Sequence, residues 1–341
     1  MELSSSIKGE FREDQYKDWL IDIKGEMEPD PDQCCIYRVP TRIRNVNKEA
    51  YTPQVVSIGT FHYGKKELEF MEKQKGGYVR QFFKRTTRDK REEVFVFIKD
   101  HEQQIRNCYS ETCKLDSHEY VMMILGDALF IIELLLRDYD DDDATTQKSY
   151  PEHRLPKFDK AYRDVDLPSA AKLRESGVKF KSADQVESLF DIRFDGHELK
   201  IPPLPVDNMT ETILRNLMAL EQCHYPYVTP VCDYVELLDS LIDDKSDLDL
   251  LVKEGIISNR MGDSKAIVSL FNNLCTQITI NRVYYNDISQ QLKAHYDNPW
   301  NHTSAKLKSV YFGDLWKGTA TVAAALILLL TFIQTMSSVT H

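Results

Sequence analysis

The run WKGTATVAAALILLLTFIQTMSSV, from Trp316 to Val339, is the stretch whose reading decides the fold. It is nearly uncharged. Lys317 stands at its start and Gln334 is its one strongly polar interior residue. About 20 apolar residues in a helix span the hydrocarbon core of a bilayer. A core helix of this length would show a polar face, and AAALILLL shows none. Trp316 and Lys317 sit where interface anchors belong. The expectation is therefore a helical body tied to a membrane by one C-terminal transmembrane helix, 316–339.

Outward from that run, composition changes at Gly318, and everything before it is charged and mixed. The chain has 341 residues, 42% hydrophobic and 28% charged, enough for one large domain or two modest ones. A net charge of −11 argues against a nucleic-acid binder. The polar opening MELSSSIKGEFREDQYKDW has no apolar core of signal-peptide length. A single span at the end predicts a tail anchor. Lys306, Lys308 and Lys317 before it, with no Lys or Arg after it, place the body in the cytosol; which membrane is left open. Seven irregularly spaced cysteines do not resemble a secreted disulfide framework. Asn208-Met-Thr and Asn301-His-Thr match the glycosylation acceptor pattern and would go unused in the cytosol.

The body reads as mainly α, with a small β-hairpin and short strands. Residues 1–33 are a polar segment with a short amphipathic helix around Trp19 to Ile23. Cys34 to Pro40 and Thr52 to Gly59 read as strands, Lys65 to Arg85 and Glu92 to Cys113 as helices. Glu119 to Arg137 is a buried helix, with Asp127 and Glu133 on different faces. Residues 138–164 are an acidic, polar loop. From 165 to 315 helices dominate. Ser169 caps AAKLRES, Gly177 closes it, and Ser246 with Asp249 resembles a capping box. Leu189 to Phe194 and His197 to Ile201 flank Asp195-Gly196, which predicts a type I′ hairpin over 189–201. Pro299 breaks the last helix before the anchor.

Each constellation with chemical content has a plainer reading. Gly59-Thr-Phe-His-Tyr-Gly-Lys-Lys matches G-x-x-x-x-G-K, but Lys66 stands where a magnesium-binding hydroxyl is needed, so a structured turn is expected. Asp138, Asp140 and Asp142 have the first spacing of a calcium loop, yet the sixth and twelfth positions are Asp143 and Ser149. Cys108, Cys113 and His118, and the adjacent Cys223 and His224, lack zinc spacing. No catalytic motif, cofactor site or metal site is therefore assigned, and the chain reads as a non-enzyme. The basic stretch 65–91, with Tyr78, Phe82 and Phe83 interleaved, offers a surface for anionic lipid, against an ordinary solvated helix face.

Ile36-Tyr-Arg-Val-Pro, Tyr51-Thr-Pro-Gln-Val-Val-Ser-Ile-Gly and His62-Tyr-Gly-Lys resemble the opening of the plant domain-of-unknown-function family 247. The resemblance continues at Phe130-Ile-Ile-Glu-Leu-Leu-Leu-Arg and at Leu167 to Phe180. It runs on through Ile201-Pro-Pro-Leu, Arg215 to Tyr225, Lys253-Glu-Gly-Ile-Ile and Pro299-Trp-Asn, into the anchor. One departure is that the long middle segment of that family, with its Leu-Glu-Asn-Gln-x-Pro-Phe-Phe run, is absent; the chain passes from Arg137 through the polar loop to Leu167. Loss of part of a helical core would leave apolar surface uncovered. The resemblance implies a membrane-associated plant protein with no established enzymatic activity. Some grass relatives are implicated in self-incompatibility. The function expected is a membrane-anchored interaction or recognition component with a protein partner. The alternatives are a cryptic enzyme with a Cys-His or carboxylate site, or a degenerate copy.

Overall fold

The computed structural model describes residues 33–141, 166–183, 188–225, 227–280, 284–311 and 326–336. It is mainly helical, with two small sheets. In chain order the helices are α1 (Thr41–Arg44), α2 (Glu69–Arg85), α3 (Arg88–Asp100), α4 (Glu102–Asn107), α5 (Ser117–Asp141) and α6 (Ala170–Glu175). There follow α7 (Thr210–His224), α8 (Pro230–Leu241), α9 (Lys245–Lys253), α10 (Ser264–Leu274), α11 (Asn286–Asp297) and α12 (Pro299–Tyr311). The strands are β1 (Lys179–Ser182), β2 (Arg193–Asp195), β3 (Glu198–Ile201), β4 (Leu204–Val206) and β5 (Ile257–Asn259). The chain divides into two compact units: Met1–Pro40 with Thr52–Lys148, and Thr41–Tyr51 with Ser149–His341.

In the first unit, α2, α3 and α5 pack through Ile98, Val121, Leu125 and Leu129, backed by Val79, Phe82 and Phe83. The helix expected over Glu92 to Cys113 is two helices, α3 and α4, parted at His101. Arg106 of α4 lies 3.8 Å from the Tyr120 ring centroid and donates to the Leu115 carbonyl at 3.0 Å. That grip turns the chain out of the helix. Residues 52–59 are not a strand. Two of their backbone groups are taken by side chains of α2 and α5. The Ser57 carbonyl accepts from Lys75 Nζ at 2.5 Å, and the Gly59 N–H donates to Asp127 Oδ2 at 2.7 Å.

Lys75 and Asp127 form a buried ion pair, Nζ to Oδ1 2.5 Å, with Glu72 also 2.8 Å from Nζ. Glu133, 2% exposed at its side chain, takes Arg85. Asp127 and Glu133 thus do not meet each other; each draws a cation from α2. Beyond this seam, Ile132, Leu134 and Leu135 of α5 are 44%, 47% and 62% exposed, an uncovered apolar face. The helix also continues past the expected end at Arg137, to Asp141. Most of the expected loop after it lies outside the described residues.

In the second unit β1 pairs with β3 in parallel, Lys179 opposite Glu198, and β2 pairs with β3 antiparallel, giving the order β1-β3-β2. The hairpin forms where expected, but Asp195 pairs with Glu198, so the turn is Gly196-His197. Only Gly196 has positive φ, +60°, which fits a type II′ turn rather than I′. Two parallel pairings were not foreseen, β1 with β3 and β4 with β5. The helices α7 to α11 close over these sheets around Met218, Leu238, Leu241, Leu248 and Phe271, none more than 1% exposed. Asn47 and Asn216 tie the 41–51 segment to α7, donating to Glu211 Oε1 at 2.9 Å and the Ala50 carbonyl at 2.8 Å.

Within the expected anchor, 326–336 is helical and its apolar side chains are exposed, Leu328 at 71%. Residues 316–325 and 337–339 lie outside the described residues. Among the described residues, no helix is long and apolar enough to cross a membrane. The expected helix around Trp19 also lies outside them.

Breaking a buried ion pair strands a charge away from water. Lys75→Met is expected to cost about 3–5 kcal/mol in urea unfolding. Lys75→Met with Asp127→Leu should cost less than Lys75→Met alone. A single-variant loss below about 1 kcal/mol, the scale of an exposed pair, would refute the reading.

Candidate functional site

A groove of about 840 Å³ opens in the second unit. Its construction begins at α6. Ser169 was expected to cap that helix, but its side chain makes no capping hydrogen bond. Asp247 of α9 does the work instead: its Oδ1 accepts the Ala171 N–H at 2.7 Å. The same carboxylate, on a residue 1% exposed, closes the α9 capping box with Asp244 through Oδ2. That box lies two residues before the expected Ser246–Asp249 pair.

Gly177, at φ +95°, ends α6 and turns the chain into β1. A Cβ there would stand 3.4 Å from Ala305 Cβ, so α12 packs close against this turn. His295 Nε2 lies 3.1 Å from the Ser176 carbonyl, and Asn301 Nδ2 donates to the His295 carbonyl at 2.8 Å. These contacts fix α11 and α12 against the end of α6.

Ser176 through Lys181 line the groove without a gap. A sheet face would present alternate residues, so this run presents an edge. β1 is an outer strand of its sheet. The Lys179 N–H bonds the His197 carbonyl at 2.8 Å and the Ala183 N–H bonds the Ile201 carbonyl at 2.9 Å. Phe180, between them, therefore directs its backbone N–H and C=O away from β3. Arg174, Lys179 and Lys181 give the groove positive charge, with His197 and His295 beside them and Glu254 as the acid. Lys181 also pairs with Glu198 at 2.8 Å.

A second cluster lies on α8. Burial first, then Asp233 and Asp239, raise the Glu236 carboxyl to about 7. Burial and Asp243 raise Asp239 to about 6. Burial, with these two acids, raises the Cys275 thiol to about 12. Arg215, 3% exposed, bonds Glu211 at 2.8 Å and the Asn273 carbonyl at 3.2 Å.

The residues weighed in the sequence fall elsewhere. The loop after Gly59 is a turn held by Asp127, with Gly59 and Gly64 at φ +73° and +76°. Lys65 Nζ lies 2.8 Å from His62 Nδ1, and Lys66 opens a short 3-10 turn. Cys223 and His224 end α7, where the His224 ring meets Tyr225 edge-on, and neither lines the groove. In the basic 65–91 stretch, Lys73 pairs with Glu69, Lys75 with Asp127, Arg85 with Glu133 and Lys90 with Glu93. The Arg91 guanidinium donates to the carbonyls of Phe83 and Thr86. Among the described residues, no group of three or more His, Cys, Asp or Glu is placed to hold a metal ion. Sequence reading missed the groove; its one local signal was Lys-Phe-Lys directly after Gly177-Val178.

This chain matches DUF247, a plant protein family of unknown function, over residues 36–165 and 144–330, and belongs to it. A UPF0481 protein of Arabidopsis thaliana is 27% identical over 179 residues, 52% of this chain and 34% of that protein. The match thus spans only about a third of that relative. A second UPF0481 protein of the same plant is 23% identical over 349 residues, 72% of this chain and 73% of that protein. That aligned length exceeds the whole of this chain, so the second relative carries positions with no counterpart here. The two family matches overlap at 144–165, so the correspondence breaks in the polar stretch after α5. No solved structure matches the chain.

The pH dependence follows from α8. A carboxyl whose folded pKa is raised binds more protons folded than unfolded, so its contribution to stability falls as pH rises through that interval. For Glu236 the interval runs from the ordinary value of 4.5 to about 7. Glu236→Gln is expected to raise the urea midpoint at pH 8 and flatten the decline between those values. Parallel midpoint curves for variant and wild type would refute it.

Proposed function

We propose that this chain is a membrane-anchored recognition component whose groove takes up an extended, acidic segment of a partner protein. The observation supporting this is that β1, an outer strand of its sheet, lines a cationic groove. An extended peptide adds to such an edge through main-chain hydrogen bonds. Lys179 and Lys181 are two residues apart and share one face of β1, so acidic side chains at alternate positions of a partner strand would meet them. The chain as a whole carries −11, so this local excess of positive charge runs against its composition. The anchor would be 316–339, where the helical 326–336 leaves its apolar side chains uncovered. The lysines before it favour a cytosolic body.

One preparation tests both halves. Full-length protein should resist alkaline extraction, and a chain ending at Asp314 should wash off. If both wash off, the anchor reading fails. In detergent, a fluorescent alternating Glu-Val octapeptide should bind and a Lys-Val octapeptide should not. Lys179→Glu with Lys181→Glu, both on exposed residues, should weaken binding at least about tenfold. Equal binding of the two peptides, or no loss in the variant, would overturn the groove reading.

A further inference from the structure

Residues 33–40 lead into the first unit as an extended segment, and one short pairing holds them there. The N–H groups of Cys35 and Ile36 donate to the Cys108 carbonyl at 3.0 and 2.8 Å, and the Ser110 N–H donates to the Ile36 carbonyl at 2.8 Å. Ile36 and Tyr109 pair as a parallel bridge, which sets Cys35 opposite Cys108. Cys108 caps the end of α4 in helical conformation, its Sγ 3.3 Å from the Gln104 carbonyl, and the Cys35 thiol lies within hydrogen-bond reach of the Cys108 thiol. Successive side chains alternate in direction, so the vicinal Cys34 turns inward, 3% exposed. Arg38 secures the register two residues on, bonding Glu111 at 2.8 Å and lying 4.6 Å from the Phe61 ring centroid. Cys35 is exposed, Cys108 is half-buried, and both are free thiols.

We propose that Cys35 and Cys108 are a site of reversible oxidation that closes an intramolecular disulfide, fastening the 33–40 segment to the end of α4. With hydrogen peroxide as oxidant the step balances. The exposed Cys35 thiolate attacks one peroxide oxygen, the O–O bond breaks, and Cys35 becomes a sulfenic acid while hydroxide takes up a proton as water. The Cys108 thiolate then attacks the Cys35 sulfur; the S–S bond forms, the S–O bond breaks, and a second water leaves. Two thiols lose two electrons, and one peroxide becomes two waters. Burial and the neighbouring Cys108 thiol push the Cys35 thiol above its usual range, so little of it is thiolate at neutral pH. The reaction should accelerate as pH rises.

The test uses the full-length folded protein. It is treated with hydrogen peroxide, blocked with N-ethylmaleimide, unfolded and digested with trypsin. Peptide 25–38 should appear linked to peptide 107–114, and two of the seven thiols should be lost. Fragmentation of the linked pair should place the bond on Cys35 and Cys108. Cys35→Ser should abolish the link, Cys34→Ser and Cys113→Ser should keep it, and dithiothreitol should restore both thiols. Loss of thiols should be faster at pH 8 than at pH 7. The proposal is overturned if no linked pair forms, if the bond maps to Cys34 or Cys113, or if protein unfolded before oxidation gives the same distribution of links as folded protein.

Discussion

The second unit depends on one buried carboxylate, Asp247. Its two oxygens accept N–H groups from the starts of two helices that are far apart in sequence, Ala171 in α6 and Asp243 and Asp244 before α9. Helix starts leave N–H groups without intrahelical partners, and burying them unsatisfied is costly. A carboxylate that serves two starts at once fixes the angle between the helices as well as capping them. The end of α6 then determines where Gly177 turns, and that turn sets the edge of β1 and one wall of the groove.

The same use recurs across the unit, on buried acids and on more exposed ones. Glu221 accepts the Val231 and Cys232 N–H groups, both at 2.8 Å, at the start of α8. Asp207 accepts the Met209 and Thr210 N–H groups before α7, and Asp263 the Lys265 N–H before α10. Asp233 takes the Tyr284 N–H at 2.8 Å. These acids complete the backbone, and each is answered by N–H dipoles. Glu236 and Asp239 are held above the usual carboxylate range by burial first and then by neighbouring acids. Set against so many acids, the groove gathers three cations, of which Lys181 is paired with Glu198.

Helices and the hairpin were legible because their signals are local: apolar stripes, a Gly turn, a Pro break at Pro299. The parallel pairings were not, because β1 and β5 are each a few residues long and their partners are fixed by packing rather than by a turn. The caps show the same limit. Ser169 has the right type and position, yet the partner that captures its helix comes from 76 residues away. Thr52 to Gly59 carries strand-like residues, but Lys75 and Asp127 claim its backbone groups. The groove draws on α6, β1, the hairpin turn, α9, α11 and α12, so no single window of sequence contains it. The opposition of Cys35 and Cys108 was hidden for the same reason.

Helix α12 gives the groove its place in any anchored protein. It lines the groove with Asn301, Ser304 and Ala305 in its first turns and ends at Tyr311. A helix of 13 residues is about 20 Å long, and Trp316 follows five residues later. In the proposed anchored protein only residues 312–315 separate α12 from 316–339 in sequence, which would keep the groove near the membrane surface. A partner segment bound there would be restricted to the same narrow layer, and a second contact between the two proteins would gain from the raised local concentration. The uncovered apolar face of α5 belongs to the other unit and to a different problem. It lies directly before the stretch where the family correspondence breaks. A helix that lost one of its covers would expose apolar side chains at such a place, as Ile132, Leu134 and Leu135 are exposed on α5.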